Sequence, residues 1–113
     1  MRQQQILIAA FAAAAVALSG SYGAFAADME AAKKKVSEVC QACHGMDGNS
    51  QVADYPKLAG QNADYLAKTL RDYKSGARKN AIMNGFATTL TPQDIDNLAA
   101  YFAAQPPVLQ SRM

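Results

Sequence analysis

The sequence predicts an all-α domain, and three observations predict it. Apolar residues recur at helical spacing in three separate segments, those segments carry capping or breaking residues at their ends, and no stretch shows the two-residue alternation of a half-buried strand. With 113 residues the chain has room for one compact domain.

The opening residues stand apart from that domain. Arg2 precedes an apolar run from Ile6 to Leu18, and Ala24-Phe25-Ala26 puts small residues at the two positions a signal peptidase reads. Residues 1–26 are therefore expected to be a secretory signal peptide cleaved before Ala27, leaving 27–113 as the mature domain. The apolar run is shorter than the roughly 20 residues of a bilayer span; an uncleaved leader stretched to Ala27 is the alternative, and cleavage leaves no stable membrane span. Setting Arg2 aside leaves ten basic residues against nine acidic ones. That balance gives no electrostatic reason to expect nucleic acid as a partner.

The first helix is expected over about Met29 to Cys43, with Asp28 as N-cap and Val36, Val39, Cys40 and Cys43 at i, i+3, i+4 and i+7. A second runs from about Ala63 to Lys74, capped by Asn62 and stopped by Gly76, with Leu66, Leu70 and Tyr73 along one side. The third has Thr91 as cap, Pro92 at the first helical position and Asp94 near the positive end of the dipole. Ile95, Leu98, Ala99 and Phe102 form its apolar stripe, and Pro106-Pro107 lies past its end. Gly45 to Gln61, rich in Gly, Asp, Asn and Ser, reads as a long loop, the kind that in a small domain is functional or wrapped around something. Arg78 to Thr89 reads as irregular, with a short helix near Asn80 to Met83. A mature domain this small buries little surface relative to the chain entropy it must overcome, so a staple is expected: a disulfide, a metal or a buried cofactor.

Both cysteines and the single histidine of the chain occur together as Cys40-Gln41-Ala42-Cys43-His44. Cys-x-x-Cys-His is the attachment pattern of c-type haem. Two thiols three residues apart on a helical turn can each bond one vinyl group of a porphyrin, while the adjacent imidazole reaches the iron. A Cys40–Cys43 disulfide is also reasonable in an oxidising compartment, but the adjacent His44 favours haem. A redox dithiol shares the spacing but expects a βαβ pattern, which the sequence lacks. A structural zinc site would need a fourth Cys or His, and there is none.

From Ala27 to Gln105 the chain resembles a class I c-type cytochrome, close to the short bacterial monohaem kind that also forms each half of two-haem periplasmic cytochromes. The resemblance rests on Cys40-Gln41-Ala42-Cys43-His44-Gly45, on Pro56-Lys57-Leu58-Ala59-Gly60-Gln61, on Met83, and on Leu90-Thr91 with Asp94-Ile95 and Leu98-Ala99-Ala100-Tyr101-Phe102. It implies three main helices plus long loops wrapped around one haem c, attached through Cys40 and Cys43. His44 and Met83 would be the axial metal ligands, and the Pro56 carbonyl would accept from the His44 ring. On the residues alone Met83 serves as readily as core filler; the ligand role comes from the resemblance. His/Met ligation would raise the reduction potential and close the iron to outside ligands. Leu58, Leu70 and Phe86 are implied as walls of the haem site. Ala32 and Val36 would cross Leu98 and Tyr101, with Ala32 where the family often has glycine.

The function so implied is electron transfer in the periplasm by a carrier that is not an enzyme, meeting redox partner proteins as a monomer or weak oligomer. A cytochrome subunit of a periplasmic oxidoreductase is the alternative. Lys33, Lys34, Lys35, Lys68, Arg71, Lys74, Arg78 and Lys79 could ring a docking surface for an acidic partner, or could simply be solvated helix faces.

Overall fold

The Asp28 side chain accepts from the Ala31 N–H at 2.9 Å and starts helix α1 (Met29–Lys35), while the Asp28 N–H donates to Oδ1 of Asn97, also at 2.9 Å. One residue thus caps a helix and ties its first turn to the far end of the sequence. The computed structural model describes residues 26–109; the expected leader, apart from Ala26, lies outside the described residues. Among these residues the regular structure is helical throughout, without a strand.

The first helix does not run through as one α-helix. Over Val36–Cys40 the backbone makes a π-helical turn before α2 (Gln41–His44) resumes α geometry. A π turn takes up one extra residue, and each residue of an α-helix advances about 100°. His44, which an unbroken α-helix would place about 80° from Val36, therefore comes round to within about 20° of it. Both are buried. The simple α stripe expected from the sequence missed this offset, because apolar spacing does not distinguish one π turn within a helix.

Helix α3 (Ala63–Ser75) begins where Asn62 accepts from the N–H groups of Asp64 and Tyr65, and it stops at Gly76, whose φ of 84° is left-handed. Helix α4 (Ala81–Thr88) corrects the expectation of an irregular segment with one short turn. Its cap, Asn80, accepts from Ile82 and Met83, and eight residues follow in helical conformation where the sequence suggested about four. Helix α5 (Pro92–Ala103) carries a reciprocal capping box: Asp94 N–H donates to Thr91 Oγ1 and Thr91 N–H donates to the Asp94 carboxylate.

The core lies where α1 and α3 both pack on α5. Ala32, Val36, Leu66, Ala67, Leu90, Ile95, Leu98, Ala99, Tyr101 and Phe102 fill it. Ala32 and Val36 lie in the same buried cluster as Leu98 and Tyr101, α1 packs on α5, and the Ala32 methyl is accommodated at 1% exposure. The segment Gly45 to Gln61 is irregular, as expected, and is fastened to α5 and to the chain beyond it. Gly60 N–H donates to Phe102 O, Tyr101 Oη donates to Met46 O, and the Asn49 side chain pairs with Pro106 O and Val108 N–H.

Candidate functional site

Helix α2, α3, α4 and the loop around Pro56 enclose an open cleft of about 300 Å³. Cys40, Cys43 and His44 border it on the first-helix side, Met83 and Phe86 on the α4 side, and Leu58, Leu70, Leu98 and Phe102 supply apolar wall. The residues singled out from the sequence are thus brought to one cavity, Pro56 included.

His44 is 7% exposed, and its Nδ1 lies 2.8 Å from the Pro56 carbonyl oxygen. A carbonyl can only accept, so Nδ1 carries the proton and, in the neutral ring, Nε2 keeps its lone pair. Among the described residues Nε2 has no hydrogen-bond partner, and no fully buried side-chain nitrogen or oxygen lacks one. In the neutral ring Nε2 is thus the nitrogen left free to bind a metal at the cleft that His44 borders. The Tyr55 ring stands edge-on to the imidazole, with centroids 6.5 Å apart.

Cys40 and Cys43 are half-buried and unbridged. Burial pushes the Cys40 thiol up from its ordinary value, and the Lys35 ammonium draws it partly back. No group of three or more His, Cys, Asp or Glu side chains among the described residues is arranged to hold a bare metal ion. What the site does fit is a flat apolar group with a metal at its centre. It offers one imidazole nitrogen, one thioether and two thiols in a predominantly apolar cleft, and Tyr65, Ile82 and Phe86 each keep roughly half their surface exposed toward solvent or cleft.

Sequence reasoning missed one cluster. Tyr65, Tyr73 and Arg78 also line the cleft. Arg78 lies 5.2 Å from the Tyr73 ring centroid, donates from Nε to Tyr73 Oη at 3.0 Å, and places Nη1 3.5 Å from Tyr65 Oη. The guanidinium holds the Tyr65 phenol below the usual tyrosine range. Two tyrosines about two turns apart on an amphipathic helix were the available signal.

The docking ring suggested by the sequence is largely engaged within the molecule. Lys34 approaches Glu38 at 3.9 Å, Arg71 approaches Asp96 at 3.5 Å, Lys68 pairs with Asp72, and Lys74 donates to the carbonyls of Thr88 and Leu90. The first three are exposed pairs of little energetic weight; the Lys74 contacts close the end of α4. No helix among the described residues is long and apolar enough to cross a membrane.

Comparison with known proteins gives a consistent result. The family model for cytochrome c matches residues 29–105. Over 82 residues the chain is 49% identical to cytochrome c4 of Pseudomonas aeruginosa, covering 73% of this chain and 41% of that protein. Over 83 residues it is 40% identical to cytochrome c-554(548) of Halomonas halodenitrificans, covering 71% of this chain and 99% of that one. The crystal structure of reduced recombinant cytochrome c4 from Pseudomonas stutzeri superposes with a TM-score of 0.69 at 44% identity, over 74% of this chain and 48% of that chain. The chain spans less than half the length of the cytochrome c4 proteins it matches.

Proposed function

We propose that this chain, which belongs to the cytochrome c family, carries single electrons between redox partner proteins through one covalently held haem c. Its helical architecture is that of the class I cytochromes c. The observation that carries the reading is the His44 ring: Nδ1 is fixed on Pro56 O at 2.8 Å, so that in the neutral ring the lone pair is on Nε2, at the cleft that Cys40 and Cys43 also line.

Each residue then has a role. Cys40 and Cys43 would each form a thioether bond to one vinyl group, which keeps the cofactor on a protein working outside the cytoplasm. His44 and Met83, the latter carried on α4, would hold the metal. Pro56 O holds the imidazole in the ligating tautomer and raises its basicity. Haem supplies a metal centre that takes up and gives back one electron. Leu58, Leu70, Phe86, Leu98 and Phe102 would keep water from its faces, and that apolar shell together with a thioether ligand favours the reduced state. With His44 and Met83 both given to the metal, the chain would offer a substrate no open place on it and would act as a carrier and not as an enzyme. The leader read at residues 1–26 would deliver it to the periplasm.

A pyridine haemochrome spectrum of the purified exported protein, combined with its intact mass, tests this. The expected result is one haem with both vinyl groups saturated, and a mass equal to residues 27–113 plus one haem. Colourless protein with the mass of bare polypeptide would overturn it.

A further inference from the structure

Helix α4 carries Met83 but has little of its own to hold it in place. It is eight residues long, Ala87 is its single buried residue, and it packs chiefly on α3. Two polar side chains suspend it. At its first turn, Nδ2 of Asn84 donates to both Tyr73 O and Arg78 O at 2.8 Å, and Oδ1 accepts from Asn80 N–H at 2.7 Å. At its last turn, Lys74 from α3 donates to Thr88 O and Leu90 O.

The Asn84 amide therefore uses both of its amide protons and its oxygen to pin one point of α4 to the end of α3 and to the connection after Gly76. Its neighbour Met83 has its own N–H fixed by the Asn80 side chain at 2.9 Å. Neither Asn84 nor Lys74 borders the cleft, so neither touches the cofactor. Both act on the place from which the thioether reaches it.

We propose that Asn84 and Lys74 are positioning residues for Met83: they hold α4 against α3 so that the thioether stays on the metal, and their loss makes it leave more often. The inference rests on the haem reading above. A thioether is a soft ligand that suits the reduced metal better than the oxidised one, so the oxidised protein should show the effect first. Breaking the two Asn84 donor bonds removes two of the bonds that must reopen anyway when α4 swings out. The population of the swung-out form should then rise roughly tenfold or more.

The test is the rate at which imidazole binds the ferric holoprotein, because imidazole can enter only while Met83 is off. Asn84→Asp keeps an oxygen for Asn80 N–H and loses both donor bonds; Lys74→Met opens the other end of the helix. Asn84→Asp should bind imidazole roughly tenfold faster or more and Lys74→Met at least several-fold faster than the unaltered protein, and both should show a weaker thioether charge-transfer band in the oxidised state. Asp28→Ala, which removes the α1 cap on Ala31 far from α4, should lose stability without gaining rate. Should Asn84→Asp fail to fold, Lys74→Met decides. Unchanged imidazole rates in the folded variants, or an equal gain in Asp28→Ala, would overturn the inference. Fast imidazole binding already in the unaltered protein, with no thioether band, would instead remove Met83 as a ligand, a failure of the haem reading visible without any variant.

Discussion

The hydroxyl of Tyr101 donates to the carbonyl oxygen of Met46 at 2.7 Å, joining α5 to the residue two places beyond His44. The phenol is 9% exposed and stacks edge-on against Phe102, with ring centroids 5.3 Å apart. Burial raises its pKa, and the nearby Asp47 carboxylate adds to the rise. A core residue thus fixes the chain as it leaves the candidate ligand.

Tyr101→Phe should lower stability by about 1 kcal/mol near neutral pH, the usual cost of one such bond. The gap should narrow in alkali. An unfolded tyrosine ionises near pH 10, while folded Tyr101 keeps its proton, so the folded state binds more protons and loses stability as pH rises past that point. Phenylalanine has no proton to keep. Urea denaturation of both proteins from neutral pH to above pH 10 checks it; a gap that widens with pH would show the sign to be wrong.

Met83→Ala should leave the haem attached and shift its potential downward by a sizeable part of the roughly 0.8 V range that axial ligands command. The oxidised protein should then bind imidazole without delay. Potentiometry and a binding titration read the two effects, and spectra identical to those of the unaltered protein would mean that another group closes the site.

Replacing Cys40 and Cys43 together by serine should abolish covalent haem and leave the chain mostly unfolded. Tyr65, Ile82 and Phe86 are each about half-exposed around the cleft, and without a filling group the helices that carry them have few apolar contacts there. Circular dichroism of the variant is the measurement; a stable helical spectrum would show that the polypeptide core suffices.

How much of this was legible in advance depended on how local each feature is. The Cys40-Gln41-Ala42-Cys43-His44 site needs no tertiary information, since the three reacting groups lie within five residues. Caps at Asp28, Asn62 and Thr91 were legible for the same reason. Pro56 and Met83 came from the family resemblance, because nothing near them in sequence says which group they face across the cleft. The length of α4 was missed although Asn80 is an ordinary cap: Asn84-Gly85, a dipeptide typical of turns, falls in the middle of its apolar residues. Lys74 and Arg78 read as surface charges, and Asn84 drew no reading at all, because their partners are backbone carbonyls and tyrosine rings, which no charge pattern reveals.

Asn97→Ala should cost about 1–3 kcal/mol. The residue is 3% exposed, and its Oδ1 accepts from Asp28 N–H at 2.9 Å and Gln93 Nε2 at 2.7 Å. Removing the acceptor strands a backbone donor at the start of α1. Because the bond is remote from the cleft, the denaturation midpoint should fall while the haem spectrum stays as it was; a changed spectrum would mean that the junction of α1 with α5 reaches the site.

Two glycines should respond to the same substitution with opposite sign. Gly48 has φ of +73°, and a Cβ there would stand 2.8 Å from Phe102 Cδ1 and 2.9 Å from Ala59 N. Its carbonyl also accepts from Leu58 and Ala59, so the backbone has little freedom to withdraw. The left-handed conformation costs an alanine about 1–2 kcal/mol, and crowding in a packed region adds about 1–3 more. Gly85 lies within α4, where a Cβ meets nothing within 4 Å. Alanine there saves backbone entropy and should stabilise by up to about 1 kcal/mol. Thermal unfolding of the two holoproteins decides the matter. A destabilised Gly85→Ala would mean that the bound cofactor or a shift of α4 occupies the space beside it, and a tolerated Gly48→Ala would mean that the loop can move away from Phe102.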